Sequence, residues 1–396
     1  MHEDEPAAVA VPARPVIAAK ARRLYLPQLD TLRFFAFLSV FFYHGLPSND
    51  VSSHSGHART VALLESIVRR SGANGVALFF VLSAFLITEL LKREKEFSGT
   101  IDLKKFYVRR TLRIWPLYFL MVAIGLMVQP LSPGFRMSVT EIVSFLLFWR
   151  NWDLALHGFS WNPISVLWTV SAEEQFYLVW PLLQRILNRR TMIAVCVSLL
   201  VLFPLLGFLP VTGRPASVVR VALYFMFFPA GGLLSLLPRK SDALGMGRCL
   251  ALLAAGAGLW ALGTWVGVPD GDHEAPLRLL VLGDEVTLLG TVLIFLAFLR
   301  SDPNWSSGGL RYLGKISYGL YVFQIFGMLA ASRVTDWMGL LTSGHHSLKD
   351  LAIGFGVRLP LGLGLTIGMA SLSYRFIETP FLNLKDRFTV VRSRSV

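Results

Sequence analysis

Apolar runs of close to twenty residues recur along this chain, and the stretches between them are basic. A helix needs about twenty predominantly apolar residues to cross the hydrocarbon core of a bilayer. The runs therefore predict an all-α, polytopic membrane helix bundle. Composition agrees: 54% of the residues are hydrophobic, where a soluble domain has about 45–50% apolar residues with glycine counted in. The net charge of +13 would suggest nucleic acid in a soluble protein. Here the basic residues fall between apolar runs, the pattern by which cytoplasmic loops orient membrane helices, so no nucleic-acid partner is expected. Cys196 and Cys249 have no metal-ligand spacing and read as small hydrophobes.

Charge asymmetry then sets a topology. Lys20, Arg22 and Arg23 precede the first run, which places the N-terminus in the cytoplasm. Residues 1–23 have no leader-like apolar core and read as a disordered cytoplasmic tail. The first helix is centred on Leu29–Pro47, and Ser48–Ser71 reads as a polar loop carrying His54 and His57. Gly75–Leu91 runs inward and Thr111–Val128 back out, with eight basic residues from Lys92 to Arg113 beside and between them. Ser138–Trp149 is too short for a comfortable span and reads as re-entrant or interfacial. Trp149, Trp152 and Trp161 beside it suit the membrane–water boundary. Later spans are expected at Ser165–Leu183, Thr191–Pro210, Ser217–Leu237, Cys249–Val268, Leu277–Leu299, Tyr312–Ala331 and Leu351–Tyr374. The acidic turn Pro269–Pro276 falls outside and the tail at 388–396 inside. That makes about ten spans over residues 24–387, with both termini cytoplasmic.

Ionisable residues inside these runs carry the chemistry. Arg33 and His44 are eleven residues apart, which on a helix puts them on one face about 16 Å apart. Arg110 and Arg113 share a face where the chain enters a span, and two guanidiniums there can grip a phosphate bidentately. Plain positive-inside anchors have the same spacing, and Arg109 reads as one. Glu173 and Glu174 lie in SAEEQFY, where Ser171 and Glu174 also fit a capping box. Tyr318 and Tyr321 are i, i+3 neighbours with polar tips. Glu285 is a further intramembrane carboxylate. No Cys or carboxylate pattern supports metal at His54 and His57.

Together these stretches resemble the acyltransferase family 3 integral membrane proteins. LPQLDTLRFFAFLSVFFYHG has that family's arginine, ten residues, then histidine, at Arg33 and His44. Arg110-x-x-Arg113, the S-x-E-E-x-F-Y of Ser171–Tyr177, the Ser-Tyr-x-x-Tyr of Ser317–Tyr321 and the E-x-P of Glu378–Pro380 follow in the family's order. Two positions depart: Gln324 stands where many members have histidine, and Ala77 where many have an acid. The resemblance implies an O-acyltransferase in the inner (plasma) membrane. Its donor would be cytoplasmic acyl-CoA, chiefly acetyl-CoA, as co-substrate, with no other cofactor and no metal. Arg110 and Arg113, helped by Arg33, would hold the donor, and His44 would be the general base. One carboxylate would orient His44 or stabilise its charge, Glu174 being preferred as the cavity-facing acid and Glu173 left open. A cell-envelope or exported glycan is the leading acceptor, with small glycosides such as macrolides second. A transporter without chemistry is the competing class.

Overall fold

The computed structural model describes residues 24–46, 56–129, 136–158, 160, 162–208, 216–238, 242–267, 276–339 and 353–389. Among them every regular element is helical. In chain order the helices are α1 (Pro27–Gly45), α2 (Gly56–Ser71), α3 (Gly75–Ser98), α4 (Leu103–Val128), α5 (Val139–Leu146), α6 (Arg150–His157), α7 (Trp168–Ile186) and α8 (Arg189–Leu206). There follow α9 (Ala216–Tyr224), α10 (Phe227–Leu236), α11 (Met246–Gly267), α12 (Leu277–Leu299), α13 (Gly308–Lys315), α14 (Ser317–Trp337), α15 (Leu359–Ser373) and α16 (Thr379–Lys385).

Among the described residues, 7 helices are long and apolar enough to cross a membrane, or 8 if α13 and α14, bent by 77° at their junction, form one span. The chain is thus a polytopic helical bundle. The ten expected spans are reached only by adding α1 and α7. Each is 19 residues long, but each carries ionisable residues that lower its apolarity. Interior position explains how they can. Gln28, Asp30 and Thr31 of α1 are almost wholly buried, as are Leu32, Phe37, Val40 and Phe41, so those polar side chains meet protein rather than lipid.

One expectation changes and one is filled in. The stretch read as a polar loop contains α2, whose sequence GHARTVALLESIVRRS is amphipathic at helical spacing and leads through Gly72–Asn74 into α3. The stretch read as re-entrant or interfacial forms α5 and α6, of 8 residues each. At 1.5 Å per residue neither can span the core. Residues 269–275 of the turn expected at Pro269–Pro276 and the histidine His54 lie outside the described residues, as do the tails at 1–23 and 390–396.

Side-chain caps mark the starts of α4, α5, α8 and α13. Asp102 accepts from the Lys105 amide at 3.0 Å, and that bond holds its carboxyl below the ordinary range. Small residues bring helices close where no hydrophobic drive operates between them. At the α11–α12 contact, a Cβ on Gly256 would stand 2.5 Å from Ile294 and 2.8 Å from the Gly290 carbonyl. Trp260 Nε1 donates to Thr291 Oγ1 at 3.0 Å across the same seam. In the main core, Phe228 stacks on Phe176 at 4.4 Å and on Phe80 at 4.5 Å, tying α10 to α7 and α3.

Candidate active site

A partly open cavity lies between α1, α3, α4, α7 and α14. Its walls are apolar along α3, where Phe79, Phe80, Leu86, Ile87 and Leu90 face in. Its polar lining comes from five helices: Asp30 and Arg33, Ser83, Arg110 and Arg113, Thr169, Glu173 and Tyr177, and Ser317, Tyr318 and Tyr321. Arg33 of α1 thus shares one chamber with Arg110 and Arg113 of α4.

Each arginine is held differently. Arg33 pairs with Asp30 at 2.7 Å, one helical turn away on α1. Arg109 is tied into the structure: its Nη2 meets Glu94 at 2.8 Å and its Nη1 donates to the Phe388 carbonyl at 2.9 Å. Arg110 instead lies over the rings of Phe106 (5.4 Å) and Tyr177 (5.6 Å). Its Nε is buried with no hydrogen-bond partner among the described residues. A guanidinium stacked on aromatic faces keeps its N–H edge for a planar anion.

The two carboxylates of α7 separate by the roughly 100° between adjacent helical residues. Glu173 faces the cavity. It accepts from Ser83 Oγ at 2.8 Å and from Tyr177 Oη at 3.0 Å. Glu174 turns to α4, where Trp115 Nε1 donates to it at 3.2 Å, and its other oxygen is buried without a partner. The preference for Glu174 as the cavity-facing acid is therefore corrected. The helix continues through Ser171, which is fully buried, so no capping box starts there.

His44 is not brought to this chamber. It sits exposed in the last turn of α1, its ring 4.8 Å from that of Tyr43, at the opposite end of the helix from Arg33. Neither Glu173 nor Glu174 bonds to it, because each is held by another group. The expected carboxylate–histidine pairing is absent among the described residues. Tyr318 donates to the Ile114 carbonyl at 3.0 Å, and Tyr321 meets Thr169 at 3.0 Å. Both tips are thus engaged at the cavity wall. Gln324 is fully buried and neither of its amide atoms has a partner among the described residues. Glu285 lies on α12, outside the cavity lining.

Sequence reading missed the device that sets the rotation of α7. Gln175, beside the two glutamates, donates to the Phe148 carbonyl at 2.7 Å and to Asn151 at 2.9 Å, and accepts from Trp152 at 3.0 Å. Phe148 has φ of 53°, a region costly for a side chain with a Cβ. Its ring packs on Trp115 and Tyr118, at 5.5 and 4.5 Å. The α5–α6 hairpin behind it is stapled by Arg150, about 1% exposed. Arg150 pairs with Glu141 at 2.7 Å and with Asp153, and donates to Ser160 at 2.9 Å.

Comparison with known proteins now bears on this geometry. The acyltransferase-domain family model, Acyl_transf_3, matches residues 26–373. The chain belongs to acyltransferase family 3. Within that family it is similar to the peptidoglycan O-acetyltransferase OatA of Listeria monocytogenes, 26% identical over 387 residues, covering 90% of this chain and 56% of the relative. The putative peptidoglycan O-acetyltransferase YrhL of Bacillus subtilis is 31% identical over 383 residues, covering 90% and 55%. A putative O-acetyltransferase of Staphylococcus aureus is 25% identical over 389 residues, covering 90% and 57%. The chain thus spans a little over half the length of these acyltransferase family 3 relatives. No solved structure matches it.

Proposed function

We propose that the chain is a membrane O-acyltransferase that moves an acyl group, acetyl foremost, from acyl-CoA to a hydroxyl of a cell-envelope glycan. The observation that carries the reading is the chamber in which Arg33, Arg110, Arg113 and Glu173 converge. The names of the Listeria and Bacillus relatives support a peptidoglycan-type acceptor, and the family supports acyl transfer.

In this account the donor's phosphates lie at the Arg110–Arg113 end. Bidentate, charge-assisted hydrogen bonds suit that pair, and burial strengthens them. The donor's arm extends along the apolar wall of α3. Glu173, already accepting from Ser83 and Tyr177, offers its remaining lone pairs to the arm's amide N–H groups. The thioester is thereby carried toward the His44 end of α1. There the His44 imidazole takes the proton from the acceptor hydroxyl as its oxygen attacks the thioester carbonyl. Collapse of the tetrahedral intermediate forms the ester and expels the coenzyme A thiolate, which takes up the proton. An imidazole can take up a proton and give it back, which suits that exchange. The basic stretch Lys92–Arg113 supports a donor end on the cytoplasmic side of the plasma membrane.

The test is direct. Purified protein in lipid nanodiscs is given acetyl-CoA labelled in the acetyl group and soluble peptidoglycan fragments. The reading expects base-labile, ester-linked label on the glycan. Hydrolysis of the donor without ester formation, with every glycan offered, would refute it.

A further inference from the structure

Gln324 has no accessible surface, and both its amide nitrogen and its amide oxygen lack a partner. Among the described residues, no other buried side chain is left with two orphaned polar atoms. A buried amide in that state has given up its bonds to water and gained none in return, which is costly. Its place in the bundle points to an occupant. Ser317 and Tyr321 of α14 line the chamber. Gln324 follows Ser317 by two helical turns, about 10 Å further along the axis and within about 20° of the same face. One turn beyond it, Met328 reaches α1 beside His44: its Cε lies 3.4 Å from where a Cβ on Gly45 would stand. Gln324 therefore sits between the chamber and the His44 end of α1.

Along α1 the matching stretch between Arg33 and His44 is mostly apolar. Phe37, Val40 and Phe41 are almost wholly buried, and Ser39 is committed to the Gly72 carbonyl at 2.9 Å. The chamber's wall on this side is Tyr321. Thr169 Oγ1 donates to Tyr321 Oη at 3.0 Å, and Tyr321 Oη donates to the Val166 carbonyl at 3.3 Å. The Tyr321 ring meets that of Phe79 edge-on at 5.7 Å. Phe79, Thr169 and Tyr321 all line the chamber, so this contact closes it where α14 runs on to Gln324.

We propose that the Gln324 amide donates a hydrogen bond to the acyl carbonyl oxygen as the thioester passes from the chamber to His44, and that Tyr321 is the side chain that moves aside to admit it. The proposal rests on the acyl-transfer reading above. Attack by the acceptor oxygen moves the carbonyl electron pair onto the carbonyl oxygen. The Gln324 N–H donates to that anion until the pair returns and the thiolate leaves. A donor fixed in advance for such an oxygen acts most strongly where water is excluded. The amide's own oxygen accepts from the N–H nearest the thioester in the donor's arm, so both orphaned atoms are satisfied.

Gln324→Met nearly keeps the volume and removes the amide. In nanodiscs with labelled acetyl-CoA and peptidoglycan fragments, it should lower kcat about 10²–10³-fold, the weight of one oxyanion donor, and raise KM for acetyl-CoA by no more than about 10-fold. Its melting temperature should equal or exceed that of wild type, since an orphaned amide adds nothing to the fold. Gln324→His keeps an N–H donor and should recover most of the rate. Infrared spectra of bound acetyl-CoA carrying ¹³C at the carbonyl should show its band at lower frequency in wild type, with that shift lost in Gln324→Met. Wild-type kcat in Gln324→Met overturns the proposal and leaves acyl transfer standing. So does a carbonyl band that Gln324→Met does not move. A lowered melting temperature with kcat following the folded fraction also overturns it, by making Gln324 a structural residue. A Gln324-dependent band shift in a protein that esterifies no glycan keeps the carbonyl contact and refutes the glycan acceptor.

Discussion

Glu173 and Glu174 are neighbours in sequence and face different surroundings. Glu173 looks into the chamber with two hydroxyls bonded to it, while Glu174 is turned to Trp115. Glu173→Gln should lower kcat/KM for transfer about 10–100-fold, the worth of a lost charge-assisted contact. Glu174→Gln should stay within about threefold, since an amide oxygen still accepts from Trp115. The reverse order, measured with labelled donor, would return the role to Glu174. For the arginine pair, Arg110→Ala or Arg113→Ala should raise KM for acyl-CoA by about 10–100-fold. Lysine should rescue only in part, because it lacks the planar fork. Unchanged donor KM with both removed would leave them as membrane anchors. The resemblance pointed to all four of these residues, and the two arginines were also legible from their spacing. What sequence could not supply was the phase of α7. Adjacent residues share a helix, and only Gln175 and its partners on the α5–α6 hairpin settle which one turns inward.

At the scale of elements, that hairpin was the least legible part of the chain. WRNWD reads as a polar, aromatic stretch suited to an interface, yet Arg150 is buried with Glu141 and Asp153 on either side of it in sequence. Charge type is visible in a sequence, but desolvation follows from what packs over the charge. Removing one member of a buried charge cluster leaves the others unpaired, so Arg150→Ala should destabilise the fold by about 3–5 kcal/mol. Thermal unfolding in detergent measures it, and a melting curve matching wild type would mean the cluster contributes nothing. The α13–α14 bend was missed for a related reason: Tyr312–Ala331 was read as one span, and the 77° break reflects packing. Gly314 shows the constraint, since it abuts the backbone of Asp30 on α1 too closely for any side chain.

For the whole molecule, the helical bundle was legible because lipid permits so few ways of satisfying a backbone. The count was harder, because α1 and α7, which hold Arg33, His44 and the two glutamates, carry charges that lower their apolarity. The expected sidedness can be checked with single cysteines at Ser98, at the end of α3, and at Met338, just past α14, both exposed. The native Cys196 and Cys249 are buried and give a low background. Charge asymmetry predicts that an impermeant reagent added to intact cells labels Met338→Cys and not Ser98→Cys; equal labelling of both would contradict that topology. The central claim is that one bundle takes its donor at the arginine end and delivers the acyl group at the His44 end. Its most direct measurement uses sealed proteoliposomes with labelled acetyl-CoA supplied only on the side of the Lys92–Arg113 segment and glycan only on the other. The account predicts ester-linked label on the glycan, reduced about 10²–10⁴-fold by His44→Gln, the usual weight of a general base. Label that appears only when donor and glycan share a side, or a His44→Gln protein with wild-type transfer, would contradict it.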